Sequence, residues 1–202
     1  EHVPTVVRSR PAEQPHLPRL RSSGDAVELA ASDLALDAAG AEQIFSRARV
    51  SLTRDVAAAV TERTEGWPVG LHLAALIASE SDGEGLTISG DDRYVADYLY
   101  RESLAKVPEK TQRFLRYTAV LDQLCAPLCD ALLAESGAQQ ELRDMEASNV
   151  FLIALDRRRE WYRYHGLFQE FLLGELRRVE PDIVMKLHLR AADWYEANGS
   201  PA

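Results

Sequence analysis

One histidine in the C-terminal third of the sequence stands where a side chain could contact a phosphate. His165 follows a short aromatic strand and precedes an amphipathic helix within the segment Trp161–Phe171. The N-terminus of a helix carries partial positive charge and unpaired N–H groups, which suit a phosphate. A histidine at this joint can donate a hydrogen bond to that phosphate. The alternative is a hinge histidine whose polar atoms are satisfied by backbone groups.

Two further features could contact other parts of a nucleotide. Gly66-Trp67-Pro68 interrupts a helical pattern, and Pro68 fixes the backbone there and presents a flat apolar face that could hold an adenine. A simple helix break is the alternative. Arg10 follows the apolar run Val3–Val7, and α/β sheets bind ligands at the carboxyl ends of their strands. Arg10 is therefore a candidate phosphate contact, with a plain surface arginine as the alternative.

The motifs that a catalytic centre would need are missing from the sequence. A P-loop needs a lysine after its glycines, and no lysine follows a glycine in this chain. The histidines show neither H-x-x-x-H nor H-E-x-x-H spacing, so no metal site is expected. Cys125 and Cys129 are the only cysteines, and their spacing fits two buried thiols on one helix. We expect that the chain by itself is not an enzyme.

The overall charge narrows the classes of partner. The chain has a formal net charge of −9, which makes it a poor candidate for binding the phosphate backbone of a nucleic acid. No apolar run approaches the ~20 residues of a membrane span, and no signal peptide opens the chain. We therefore expect no membrane partner and a cytoplasmic location. An apolar run close to Glu1 and a helix that ends at Asn198-Gly199 indicate a segment of a larger protein.

The elements that must position these residues are mainly helical. Two short β-branched runs, Val3–Val7 and Ala26–Leu29, predict the last strands of an α/β sheet, and helical periodicity begins at Asp37. Three predicted helices followed by a hairpin have the order of a winged helix. The predicted parts are remnant α/β strands (1–36), a helical bundle (37–107), a winged-helix domain (108–180) and the start of a helical repeat (181–202).

A winged helix usually indicates DNA binding, but the third helix argues against it here. That helix, predicted over Gln139–Ser148, carries three carboxylates against one arginine. A helix that enters the major groove needs basic or amide side chains facing the bases. Arg157-Arg158-Arg159 at the hairpin tip is the only dense basic run, and a solvated turn explains it equally well. We expect this winged helix not to bind DNA.

Several strings of residues, taken in order, resemble one known family. The chain is similar to the maltose-regulator-like class of large LuxR-family transcriptional regulators, which are signal-transduction ATPases of the STAND type. The likeness spans nearly the whole sequence, and the aromatic-histidine and Thr-Glu-Gly-Trp-Pro strings are its most specific parts. The strings are Ser9-Arg10 with Leu17–Leu20, Thr64–Leu71, Asp92–Tyr98, Arg159–His165 with Leu167-Phe168, and Arg190–Gly199.

The resemblance implies roles for four residues. Arg10 matches the arginine that senses the nucleotide phosphate. Gly66 and Pro68 match the glycine-x-proline motif whose proline lies on adenine. His165 matches the winged-helix histidine that touches the β-phosphate of bound ADP and holds the protein closed. The resemblance also implies that the full-length protein is a slow ATPase with ADP or ATP as its cofactor. It implies no bound nucleotide in this segment alone.

The resemblance further implies the partners. An upstream P-loop ATPase domain, of which residues 1–36 would be the end, and downstream sensor repeats of the same chain would contact this segment. DNA would be bound only through a C-terminal domain outside it. The sequence therefore predicts the regulatory middle segment of a nucleotide-controlled switch, most often a transcriptional regulator. The alternatives are a helical protein-interaction module, or the regulatory segment of a kinase- or cyclase-fused protein of the same type.

Overall fold

Helices make up most of the fold, and a two-stranded antiparallel hairpin lies among them. The computed structural model describes residues 31–80, 86–148 and 151–199. The two strands predicted over Val3–Val7 and Ala26–Leu29 lie outside these residues, as does the candidate Arg10. Within them, the mainly α class and the winged helix with its hairpin are confirmed. The elements are α1 (Ala31–Leu34), α2 (Ala38–Arg47), α3 (Arg54–Arg63), α4 (Pro68–Glu80), α5 (Arg93–Glu102), a 3-10 turn (Leu104–Lys106), α6 (Glu109–Thr118), α7 (Ala126–Leu133), α8 (Ala138–Ala147), β1 (Leu152–Ala154), β2 (Tyr162–Tyr164), α9 (Gly166–Val179) and α10 (Ile183–Asn198).

Capping side chains set the starts of α2 and α3. Asp37 Oδ1 accepts a hydrogen bond from the Gly40 N–H at 2.9 Å. Thr53 Oγ1 accepts one from the Val56 N–H at 3.4 Å. Each side chain satisfies an N–H that has no partner inside its helix. The sequence predicts Thr53 as an N-cap, and this is confirmed. It predicts the preceding helix over Ala41–Ala48, but Asp37 caps α2, which therefore begins at Ala38.

Two consecutive residues with positive φ turn the chain between α3 and α4. Glu65 has φ 50° and Gly66 has φ 69°. Glycine is needed at position 66, because a Cβ there would lie 2.5 Å from the Leu36 carbonyl oxygen. The Gly66 carbonyl accepts a hydrogen bond from the Leu36 N–H at 2.9 Å. Pro68 is the first residue of α4, where its missing N–H costs nothing. The predicted helix break is confirmed.

The end of α5 differs from the sequence prediction. The apolar pattern predicts one helix through Lys106, but α5 ends at Glu102 and a 3-10 turn follows. Ser103 lies between them with φ −128° and ψ −70°, outside the helical region. Leu104 is buried in the core immediately after this bend. Burial of an apolar side chain therefore outweighs continuation of the helix at this point.

The winged helix consists of α6, α7 and α8 followed by the hairpin. β1 pairs with β2 in antiparallel register, with Leu152 opposite Tyr164 and Ala154 opposite Tyr162. Leu124 exchanges two further backbone hydrogen bonds with Tyr162, at 2.8 and 2.9 Å, and so extends the sheet by one position. The sequence pattern predicts the second helix of this domain over Leu124–Leu133, and the predicted start at Leu124 is wrong. Pairing with the hairpin keeps Leu124 extended, and α7 begins at Ala126.

One continuous apolar core joins the predicted helical and winged-helix domains. It contains Leu71 and Leu99 from the first part and Leu115, Leu128 and Leu167 from the second. α9 packs on α5 as well as on α6, so it belongs to both sides of the predicted boundary. No helix in the described part of the chain is long and apolar enough to cross a membrane.

The last helix rests on the winged helix. α10 packs against α7 and buries Leu187 and Ala191. Arg190 donates a hydrogen bond to the Leu132 carbonyl at the end of α7, at 2.7 Å. Met185 and Leu189 lie on the opposite face, 69% and 57% exposed. α10 therefore has one face packed on the winged helix and an apolar face in solvent.

Candidate functional site

His165 is held rigidly at the joint between β2 and α9. Its backbone is extended, with φ −61° and ψ 137°, at the N-cap of α9. Its N–H donates to the Phe151 carbonyl at 2.9 Å, and its carbonyl accepts from the Gln169 N–H at 3.0 Å. The ring reaches the turn between α3 and α4, where Nε2 lies 3.0 Å from the Thr64 carbonyl oxygen. The residue is only 7% exposed.

The two ring nitrogens of His165 are in different situations. A carbonyl oxygen only accepts hydrogen bonds, so the contact with Thr64 requires the proton on Nε2. Nδ1 is buried and has no hydrogen-bond partner. Burial lowers the pKa of His165, against the opposing effects of the Glu65 carboxylate and the Thr64 carbonyl. The ring is therefore neutral at pH 7, with a lone pair on an unsatisfied Nδ1.

Aromatic rings surround this histidine and include the tryptophan of the helix break. The Trp67 ring lies edge-on to the His165 ring, with centroids 5.7 Å apart. Trp67 also packs against Phe151 at 5.1 Å and Tyr98 at 5.6 Å. Phe151 approaches the His165 ring at 6.1 Å. The Gly66-Trp67-Pro68 break and His165, which sequence reasoning singled out separately, are thus brought together.

The N-terminus of α9 is already occupied by a carboxylate of the chain. Glu65 Oε1 accepts a hydrogen bond from the Gly166 N–H at 2.9 Å. The same carboxylate pairs with both terminal nitrogens of Arg163, at 2.9 and 2.7 Å. Burial alone would raise the pKa of Glu65, but the hydrogen bonds from Arg163 and Gly166 outweigh it and hold that pKa below its ordinary value. Glu65 is therefore ionised at this helix end.

A second ion pair also joins the end of α3 to the start of α9. Arg63 pairs with Glu170 of α9, and its Nε donates to the Ile88 carbonyl at 3.0 Å. Glu170 Oε2 also accepts from the Gly90 N–H at 3.0 Å and from the Ser89 hydroxyl at 3.2 Å. The end of α3 is thus joined to the start of α9 through two carboxylates, one from each side.

Gly66 and Pro68, two of the candidates that the sequence predicts, lie on either side of Trp67. Gly66 is buried at the turn and Pro68 is exposed beside it. Arg10 lies outside the described residues. Glu65 and Arg163 were missed, although both stand inside strings that the resemblance had marked. Their charges gave no signal, because 98 residues separate them and only the fold brings them together.

The described residues do not form a metal site or a reactive thiol. Among them, no group of three or more histidines, cysteines, aspartates or glutamates could hold a metal ion. Cys125 and Cys129 are buried thiols, and burial raises the pKa of both.

On α8, Glu141 pairs with Lys110 at 2.9 Å. The Arg159 guanidinium of the hairpin tip lies 3.2 Å from Glu146 of the same helix. Ion pairs thus engage part of both the acidic helix and the basic tip.

Comparison with known proteins agrees with this architecture. Residues 100–184 match the family described as the MalT winged helix domain. The chain is 28% identical over 208 residues to the HTH-type transcriptional regulator MalT of Klebsiella pneumoniae (strain 342), covering 100% of the chain and 23% of that protein. It is 30% identical over 215 residues to MalT of Cronobacter sakazakii, with 100% and 23% covered.

A kinase is similar to the same extent. The serine/threonine-protein kinase PknK of Mycobacterium tuberculosis (strain H37Rv) is 28% identical over 202 residues, which cover 98% of this chain and 18% of that protein. The chain thus spans about a fifth of the length of the relatives it matches. Residues 100–184 therefore match the MalT winged helix domain family, and the chain as a whole is similar to a segment of the MalT regulators.

Proposed function

We propose that this chain is the regulatory middle segment of an ADP/ATP-controlled switch protein of the LuxR-family, STAND type, acting in the cytoplasm. The observation that carries the proposal is His165, a buried histidine with an unsatisfied Nδ1 at a helix N-terminus. It contacts the Gly66-Trp67-Pro68 break through Trp67 and the Thr64 carbonyl. A buried polar atom without a partner carries a cost, which a ligand atom at that position would remove.

Each candidate residue has a distinct role in this proposal. Pro68, exposed at the start of α4, would lie against the adenine, and Gly66 permits the turn that presents it. His165 would contact the β-phosphate, and Arg10 a phosphate of the same nucleotide. A P-loop domain outside this chain would cradle the remaining phosphates. ADP would then touch both domains only in the closed state, and would shift the population toward closure by its differential affinity.

The winged helix would act in this switch without binding DNA. Its third helix, α8, carries Glu141 and Glu146 in ion pairs with Lys110 and Arg159, so basic side chains near it are partly neutralised. The output of the whole protein would be transcription, as the names of the MalT relatives suggest, with phosphorylation as the alternative that the kinase relative supports. The segment itself would regulate and not catalyse.

Calorimetry of ADP binding to the complete gene product tests this function. We expect binding, and we expect His165→Ala to weaken it by about tenfold or more, because a hydrogen bond to a charged group contributes about 1.5–3 kcal/mol. His188→Ala is the matched control, since His188 is exposed on α10. Unchanged ADP affinity and unchanged basal output in His165→Ala would remove His165 from the mechanism.

A helical protein-interaction module is the second candidate, and one observation favours it. Met185 and Leu189 form an exposed apolar pair on α10 that could receive another helix. In that case Pro68 and His165 are ordinary packing residues, and the complete gene product gives no heat with ADP. Direct DNA binding by this chain would instead give a salt-dependent gel shift, and we expect none.

A further inference from the structure

The hydrogen-bonding pattern of His165 limits how it can contact an anion. Nε2 carries its proton toward the Thr64 carbonyl, so the neutral ring offers only a lone pair at Nδ1. An ionised phosphate oxygen also offers only lone pairs. A neutral His165 in this position therefore repels the group that it is proposed to bind.

The first N–H of α9 is not free to bind a phosphate. The Gly166 N–H, the first of α9, donates to Glu65 Oε1, and that carboxylate is fixed in turn by Arg163. A phosphate could take this N–H only by displacing a carboxylate that already makes three hydrogen bonds. Among the side-chain nitrogens and oxygens at this joint, Nδ1 of His165 is the one that is buried without a hydrogen-bond partner.

We propose that His165 binds the phosphate as an imidazolium: Nδ1 takes up one proton from solvent when the ligand binds, and Glu65 is the positioning counter-ion of that charge. The inference rests on the proposed function and adds a proton to it. In the bound state Nε2–H still donates to Thr64 and Nδ1–H donates to the phosphate. The proton leaves again with the ligand, so nucleotide release is coupled to deprotonation.

The charges around the ring support this protonation. Glu65, at the end of α3, favours the imidazolium, while Arg163 on β2 and Arg63 on α3 oppose it. Both arginines are paired with carboxylates, Arg163 with Glu65 and Arg63 with Glu170. Without a ligand, burial outweighs Glu65 and the pKa of His165 stays below its ordinary value. A phosphate at hydrogen-bonding distance adds the second negative neighbour that the imidazolium needs.

A tautomer change is the competing possibility. The proton could move from Nε2 to Nδ1, which would let a neutral ring donate to the phosphate. Nε2 would then face the Thr64 carbonyl with a lone pair, and a buried hydrogen bond would be lost. This alternative takes up no proton, so the two can be told apart by measurement.

The test is calorimetry of ADP binding to the complete gene product at pH 8, in two buffers with different heats of ionisation. We expect uptake of up to about one proton, and an affinity that falls by up to about tenfold per pH unit between the pKa of free His165 and the higher pKa of the complex. His165→Asn is the matched variant, because its amide supplies a donor near the Nδ1 position that does not titrate. The difference between the two proteins also excludes protons taken up by the nucleotide itself, whose phosphate has a second pKa of about 6.

The outcomes of this measurement test the imidazolium of His165 and the nucleotide switch separately. ADP binding whose proton uptake disappears in His165→Asn supports the imidazolium. Binding with no uptake, or with equal uptake in His165→Asn, overturns it and leaves the nucleotide switch standing. No ADP binding at any pH overturns both.

Glu65→Gln tests the counter-ion. The amide keeps an oxygen for the Gly166 N–H but loses the charge, so the pH at which ADP affinity begins to fall should move down. Glu170→Gln is the control, because Glu170 crosses the same boundary but pairs with Arg63. An equal or larger downward shift in Glu170→Gln would overturn the role of Glu65, since a general loosening of the boundary would then explain both.

Discussion

Glu65 and Arg163 form a two-bond ion pair between the end of α3 and β2, with N–O distances of 2.9 and 2.7 Å across 98 residues of sequence. The pair lies beside the contact between His165 and Thr64, because Thr64 precedes Glu65 and His165 is two residues after Arg163. The two parts of the chain are therefore joined by the same short segments, 64–65 and 163–165, that are expected to sense a ligand. A ligand bound at this joint would act directly on the connection between them.

Loss of this pair should destabilise the fold. We expect Arg163→Met to lower the free energy of unfolding by about 1–2 kcal/mol, less than a fully buried charged hydrogen bond because the Arg163 side chain is 37% exposed. Urea unfolding measures it, and a double-mutant cycle with Glu65→Gln should give a coupling of similar size. Arg178→Met, which breaks an exposed pair within α9, is the control and should change stability by under about 0.5 kcal/mol. Equal effects of the two substitutions would contradict a special role for Arg163.

Acid should destabilise the chain in two separate ranges of pH. His165 has a lowered pKa in the fold, so below its ordinary value of about 6.5 the unfolded chain binds the proton first. Its contribution to stability is present above that pH and is lost as the pH falls toward the folded pKa. Glu65 and Glu170 also have lowered pKa values, and their contributions are lost only below about 4.5.

Urea unfolding at pH 7.5 and pH 5.5 isolates the histidine, because the two carboxylates stay ionised at both. We expect lower stability at pH 5.5, and a smaller difference in His165→Asn. The exposed His72 and His188 provide control substitutions that should leave the difference unchanged. If His165→Asn retains the full difference, the acid sensitivity comes from another group.

Local strings of sequence were enough to predict part of this site. A glycine followed two residues later by a proline favours a break in a helical pattern, and an aromatic strand followed by an apolar helix places His165 at their joint. The ion pairs could not be predicted, because Arg63 and Glu170 are separated by 107 residues and each resembles any surface charge. The extended conformation of Leu124 was missed for the same reason, since its hydrogen-bond partner is in the hairpin.

Gly66 should tolerate no side chain. Gly66→Ala combines an unfavourable φ of 69° with a Cβ that would lie 2.5 Å from the Leu36 carbonyl oxygen. We expect a loss of about 2–4 kcal/mol in the free energy of unfolding. Gly137→Ala separates the two causes, because Gly137 has φ 112° but open space around its Cβ. Its loss should be about 1–2 kcal/mol, from backbone strain alone. Equal losses at the two positions would mean that Leu36 moves away freely.

The packing of α10 on the winged helix can be tested within one helix. Leu187 is fully buried against the core, and Leu189, two residues later, is 57% exposed. Leu187→Ala should cost about 2–4 kcal/mol, through lost burial and the cavity that remains, whereas Leu189→Ala should change stability by under about 0.5 kcal/mol. Urea unfolding of both variants measures the difference. A small effect of Leu187→Ala would mean that α10 detaches from α7 in solution, and movements of α10 could then not be transmitted to the joint at His165 through this contact.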